Sequence, residues 1–156
     1  MLKLNIEDHE TFHKKLREGD FLNMHRMIGG GKLGKLYSVK SLKGIEKILR
    51  ETHPTREVGF SGLIDVYAYY LGEVVLRLFK GSSWNYDGLY PVIRVPVKRS
   101  YFEINPSSAV YKFCTGKNPD FSSVLEVYKR MEKEYECVAN GGTLAVPGMK
   151  IKKHIQ

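Results

Sequence analysis

The chain has 156 residues, 42% hydrophobic and 12% aromatic, enough for one domain with a real core and too apolar for a disordered chain. Lysine and arginine outnumber aspartate and glutamate 25 to 17, a net charge of +8, which favours an acidic partner and says nothing about fold. The opening MLKLNIEDHETFHKK lacks an apolar run, and the best spanning candidate, Gly62–Phe79, carries Asp65, Glu73 and Arg77, so neither a secretory signal nor a membrane partner is expected, and the cytoplasm is the expected compartment.

Residues 6–17 are expected to form a helix with Ile6, Phe12 and Leu16 on one face and Gly19 as its stop. Phe21–Ile28 reads equally as a strand or another helical turn. GGGKLGK follows as a loop. Ser41 is placed to cap a helix over 42–52, with Leu42, Ile45, Ile48 and Leu49 inward. Pro54 and Gly59 bracket a loop into the central helix, which Ser61 caps. There Leu63, Val66, Tyr67, Tyr70, Leu71, Val74, Val75 and Leu78 share a wide apolar arc, and Asp65, Tyr69, Gly72, Glu73 and Lys80 share the narrow opposite strip. Gly81 is placed to end this helix in a left-handed conformation.

Asp87-Gly88 predicts a two-residue turn between Trp84–Tyr86 and Leu89–Val97. Pro91 and Pro96 remove ladder donors, which marks the second strand as edge or bulged. Tyr101–Ile104 is a third strand. Asn105-Pro106 opens a short helix as cap and first residue, and Gly116 closes it. Asp120 caps the last helix, where Phe121, Val124, Leu125, Tyr128, Met131 and Tyr135 keep helical spacing. The tail, ANGGTLAVPGMKIKKHIQ, reads as a turn plus a short strand. These elements predict an α+β single domain over 1–156: a helical N-terminal part (1–55), a helix–hairpin–helix core (60–138) and a tail (139–156). A central helix packs with a small antiparallel sheet and flanking helices.

Several motifs bear on chemistry. His9-Glu10-Thr11-Phe12-His13 fits H-E-x-x-H, in which two histidines one turn apart hold zinc beside a glutamate base. The extended form wants glycine at 16 and histidine at 19, where the chain has Leu16 and Gly19, so a zinc-dependent hydrolase is a lesser alternative and no metal ligands are assigned. Gly29–Lys35 fits G-x-x-x-x-G-K, but Leu36 stands where a phosphate loop needs Ser or Thr for magnesium. Nucleotide hydrolysis is therefore not expected, although amides of such a loop suit an anion. Lys40, Lys43, Lys47 and Arg50 recur at helical spacing behind Lys32 and Lys35, with Glu46 the one acid from Gly29 to Arg50. A stripe of this kind tracks phosphates or forms the solvated back of a surface helix. Around the hairpin, Trp84, Tyr86, Tyr90 and Tyr101 lie near Arg94, Lys98 and Arg99, the residue types that anchor protein interfaces or pack across strands. Asp65 and Glu73 are ~12 Å apart along a helix, too far for paired acid–base work. Glu73 and Arg77 suit an i, i+4 ion pair. Cys114 and Cys137 lack metal-ligand spacing and are expected to be buried thiols, with a single disulfide between them the alternative.

Tyr70, Leu71, Gly72, Glu73, Val74, Gly81, Trp84, Asn105, Pro106 and Val110 make a pattern, a "YLGEV" helix, a glycine, a tryptophan, a strand and an "NP-x-x-x-V" helix. Over roughly residues 60–130 this resembles a broad group of small, uncharacterised bacterial proteins. Some proteins of that appearance sit beside polymorphic or contact-dependent toxins, which implies immunity proteins and carries over no catalytic residue and no cofactor. The resulting expectation is a non-enzymatic protein-binding module that neutralises a cognate toxin. Its partner surface would be drawn from Lys32, Lys35, Lys40, Lys43, Lys47, Arg50, Trp84, Tyr86, Tyr90, Arg94, Lys98 and Arg99. A nucleic acid is the alternative partner.

Overall fold

The computed structural model describes residues 8–52, 60–97, 99–139 and 151–153. Ile6, the loop at Pro54 and Gly59, Lys98 and the glycine-rich part of the tail lie outside the described residues, as do the side chains of Ser61, Tyr135 and Cys137. Among the described residues six α-helices and four strands make one α+β domain: α1 (His9–Lys15), α2 (Phe21–Met27), α3 (Leu42–Thr52), α4 (Phe60–Leu78), β1 (Ser83–Asn85), β2 (Val92–Val97), β3 (Ser100–Ile104), α5 (Pro106–Cys114), α6 (Phe121–Ala139) and β4 (Ile151–Lys153).

The first two helices come from one helical run broken at Leu16–Asp20, where Gly19 takes φ 126°, a conformation that strains any side chain. Phe21–Met27 is therefore helix, which the composition alone left open. Ser41 does not cap α3 through its hydroxyl. That group donates to the Ser38 carbonyl and meets the Tyr70 hydroxyl instead.

The central helix is buried nearly all round. At ~100° per residue Tyr69 lies about 160° round the helix from Tyr67, with Tyr70 between them, yet each of the three is 0% exposed. The narrow strip opposite the apolar arc is largely covered too: Gly72 and Glu73 are buried with Tyr69. α5 and β2 pack on α4, and aromatic contacts from His13 and Phe21 close the side facing α1 and α2.

The sheet runs β1-β2-β3-β4, all antiparallel. Its inner face pairs Ile93 with Ile104 and Val95 with Phe102. Its outer face carries Arg94 opposite Glu103, with Nε–H donating to Oε2 at 3.1 Å and the guanidinium 4.7 Å from the Tyr101 ring. One buried face and one polar face is the usual antiparallel solution.

Two hairpin expectations are corrected. Asn85 pairs with Val92, so residues 86–91 form a six-residue loop rather than a two-residue turn. The loop starts with an Asx-like arrangement in which the Asn85 side chain accepts from the Asp87 amide and donates to its carboxylate. β2 is also central, not an edge. It tolerates Pro96 because β1 ends opposite Arg94, leaving that margin of β2 without a β1 partner. β4 bears out the short tail strand by pairing Ile151–Lys153 with Ser100–Phe102.

Local capping follows the sequence closely. Gly81 has φ 81° just after α4. The Asn105 side chain accepts from the Ser108 amide at 3.1 Å with Pro106 in the first turn, and Gly116 follows α5 at φ 75°. The Asp120 carboxylate accepts from the Ser123 amide at 2.6 Å. A second acceptor for the α6 N-terminus comes from α3: Glu46 Oε1, buried, accepts from the Phe121 amide at 2.6 Å. That bond ties the two helices together.

Candidate partner-binding surfaces

Three residues of the sequence pattern, Gly72, Glu73 and Trp84, meet in one inner cluster. A Cβ on Gly72 would fall under 3.0 Å from the Trp84 ring and 3.2 Å from Ile93 Cδ1, so only glycine lets the indole lie on α4. Trp84 Nε1–H then donates to Glu73 Oε1 at 3.2 Å. Arg77 donates to Glu73 Oε2 at 2.9 Å, bearing out the i, i+4 pair, and Arg17 approaches Oε1 at 3.4 Å. Glu73 is thus a fully partnered buried acid. Arg77 also lies 4.3 Å from the centre of the Tyr37 ring.

His13 sits beside this cluster. Its ring is 4.5 Å from Trp84, 5.2 Å from Tyr69 and 5.4 Å from Tyr86, and Nδ1 is 3.0 Å from the Tyr86 hydroxyl. Burial pushes its pKa down to about 4, with the charges of His9 and Arg17 acting the same way and Glu73 opposing. His13 is therefore a neutral packing residue at pH 7. It shares α1 with His9 and Glu10, but among the described residues no three His, Cys, Asp or Glu side chains are arranged to hold a metal ion. The H-E-x-x-H spacing here places a histidine into the core.

A second buried histidine holds the glycine loop. His25 Nε2 is 2.8 Å from the Gly31 carbonyl and so carries the proton; in the neutral ring Nδ1 then accepts from the Tyr67 hydroxyl at 3.1 Å. Burial raises the Tyr67 phenol to about 12. Gly30 lies directly against this ring, where a Cβ would clash. The loop opens on a cavity of about 380 Å³ bounded by Arg26, Lys32 and Leu36.

The basic residues divide into two sets. On α3, Lys43 approaches Glu46 at 3.8 Å and Lys47 approaches Glu51 at 3.9 Å, while Arg50 donates to the Pro119 carbonyl at 2.7 Å and stacks on Phe113. These side chains line a cavity of about 580 Å³ shared with Asp120. Before α3, none of Arg26, Lys32, Lys35 and Lys40 has an ion-pair partner among the described residues. Met27 (87% exposed), Leu36 (38%) and Val39 (39%) stand in the same stretch.

The hairpin aromatics also separate. Trp84 and Tyr86 stack with each other and turn toward His13. Tyr90 is 52% exposed beside Leu89 at 81%. Arg94 is engaged by Glu103 and Tyr101, Arg99 is exposed in the β2–β3 turn, and Lys98 lies outside the described residues. Cys114 is a free thiol whose pKa burial pushes upward.

One feature the sequence reading passed over is a cleft of about 410 Å³ where the start of α4 meets the 86–91 loop and the start of α5. Asp65, Tyr90, Asn105, Ser107 and Tyr111 line it. A cavity of about 10 Å³ behind it, roughly one water in size, is bounded by His9, His13, Asp65 and Ser107. Asp65 and Ser107 wall both spaces. Burial raises the Asp65 carboxyl, and His9 partly offsets that. The available signal was Asp65 itself, an acid near the start of an otherwise apolar helix.

No helix among the described residues is long and apolar enough to cross a membrane. No family model matches the chain, and comparisons with curated proteins and with solved structures find no similar protein.

Proposed function

We propose that this chain is a non-enzymatic protein-binding module, an immunity protein that neutralises a cognate toxin by covering it. Supporting this is the stretch from Arg26 to Lys40, in which four cations without ion-pair partners alternate with exposed Met27, Leu36 and Val39. Exposed apolar side chains among uncompensated charges are how an interface meets a partner of opposite sign. The resemblance over residues 60–130 points the same way. Gly72, Glu73, Trp84 and Asn105 are taken up in packing and capping, which leaves partner choice to the exterior.

The test is co-expression with the product of the neighbouring reading frame, which this reading requires to be toxic when expressed alone. Rescue of growth and a stable complex on size exclusion are expected. Both should be lost in the Lys32→Glu/Lys35→Glu/Lys40→Glu variant while its melting temperature stays within a few degrees of wild type. Rescue that survives the triple reversal would refute this surface, and no rescue by the wild-type chain would refute the immunity reading.

Nucleic-acid association draws on the same cations. Pairing of Lys43, Lys47 and Arg50 on α3 leaves a short run of free charge for phosphates. It predicts a steep loss of affinity with salt in filter binding to duplex or single-stranded DNA.

A further inference from the structure

We infer that the Asp65 cleft is a receptor for a guanidinium group. Its floor holds a half-buried carboxylate that makes no hydrogen bond or ion pair with any described residue. A carboxylate in that position costs desolvation energy, part of which a donor-rich cation recovers.

The walls select the kind of cation. Tyr90 and Tyr111 flank Asp65 across an opening of about 410 Å³, room for a planar group to sit against a phenol ring while its paired N–H donors face both carboxylate oxygens. A guanidinium does both at once, and an ammonium does only the second. Leu89 and Tyr90 at the rim are exposed and suit the alkyl stem that carries such a group.

The α5 N-terminus is the competing influence, since a helix start favours anions. Here it is blunted. Pro106 has no N–H and the Asn105 side chain already occupies the Ser108 amide, so Ser107 is left as the open donor among the first three residues. Among the described residues no lysine, arginine or histidine lines the cleft itself; His9 and His13 adjoin Asp65 only across the small cavity behind it, where His9 acts on the Asp65 carboxyl. The local carboxylate therefore sets the sign of the site.

This inference goes beyond the toxin-binding reading and does not rest on it, and small probes test it without any toxin. The intact ¹⁵N-labelled protein would be titrated with N-acetyl-arginine methylamide, with its neutral citrulline isostere and with agmatine. Saturable amide shifts at Asp65, Tyr90 and Ser107 are expected with the arginine derivative, at least about tenfold weaker with the citrulline one. Asp65→Asn, isosteric and expected to fold, should erase that difference; Tyr111→Leu should weaken arginine binding several-fold while keeping the preference. Tighter binding of the capped arginine than of agmatine identifies a protein side chain as the source, and the reverse order a free guanidine. Equal shifts from arginine and citrulline, an arginine preference that survives Asp65→Asn, or no shifts at the highest soluble concentration would each overturn the assignment.

Discussion

Gly72→Ala tests the interior most sharply. The new methyl group would lie in the Trp84 ring, and neither partner moves freely. Trp84 is held in β1 opposite Ile93, and α4 is fixed by packing on several sides. Overpacking a core of this kind costs about 1–3 kcal/mol. Displacing the indole leaves Glu73 without one of its donors, worth about 1–3 kcal/mol more. Alanine returns about 1 kcal/mol through helix propensity. The net expectation is roughly 3 kcal/mol of destabilisation, which for a chain of this size lowers Tm by about 6–12 °C. Urea denaturation followed by circular dichroism measures it. Trp84 is the one tryptophan in the chain, so its emission reports the same event independently and should shift to the red. Trp84→Leu in the Gly72→Ala background should recover part of the loss by removing the clash. A Gly72→Ala variant about 1 kcal/mol more stable than wild type, with unchanged emission, would mean helix propensity alone is at work and the indole does not lie on Gly72.

Other substitutions probe separate joints. Glu46→Ala removes the buried acceptor for the Phe121 amide and should cost about 2–3 kcal/mol in urea unfolding, because the amide is left unpaired; a loss below half a kcal/mol would contradict the α3–α6 tie. Glu73→Gln keeps an acceptor for Trp84 but loses the charge facing Arg77 and Arg17. With both arginines half exposed, about 1–2 kcal/mol is expected, and Glu73→Ala should cost more. Acid sensitivity follows from His13, whose folded pKa of about 4 lies below its ordinary 6.5. Between those values the unfolded ring binds a proton that the folded ring refuses, so stability falls as pH drops from about 6.5 to 4, by up to about 3 kcal/mol. His13→Leu should flatten that part of the pH profile, and an equally steep profile in the variant would place the sensitivity elsewhere.

Local features were legible in the sequence because they need only neighbouring residues. Gly81 and Gly116 as left-handed stops, Asn105-Pro106 as cap and first turn, Asp120 as cap and Glu73 with Arg77 at one-turn spacing all stand as expected. Features set by distant residues were not. Asp87-Gly88 looked like a tight turn, but Tyr86 is held by His13, 73 positions away, and the chain needs a longer loop from there to Val92. Ser41 looked like a cap, but Tyr70 recruits its hydroxyl from 29 positions off. The burial of the strip containing Tyr69, Gly72 and Glu73 was not legible because helical periodicity describes one element at a time, and Trp84 and α1 arrive to cover it. The basic residues were visible as a list, whereas their division into paired and free sets depends on Glu46, Glu51 and Pro119. The Asp65 cleft exists only once α4, α5 and the 86–91 loop are brought together.

The most direct measurement is calorimetric titration of the purified chain with the purified adjacent-gene product at low and at physiological salt. Saturable one-to-one binding that weakens with salt, and falls at least about a hundredfold when Lys32, Lys35 and Lys40 are reversed to glutamate, is the expected result. Binding of undiminished strength by the reversed variant, or no heat from the wild-type chain at either salt, would contradict it.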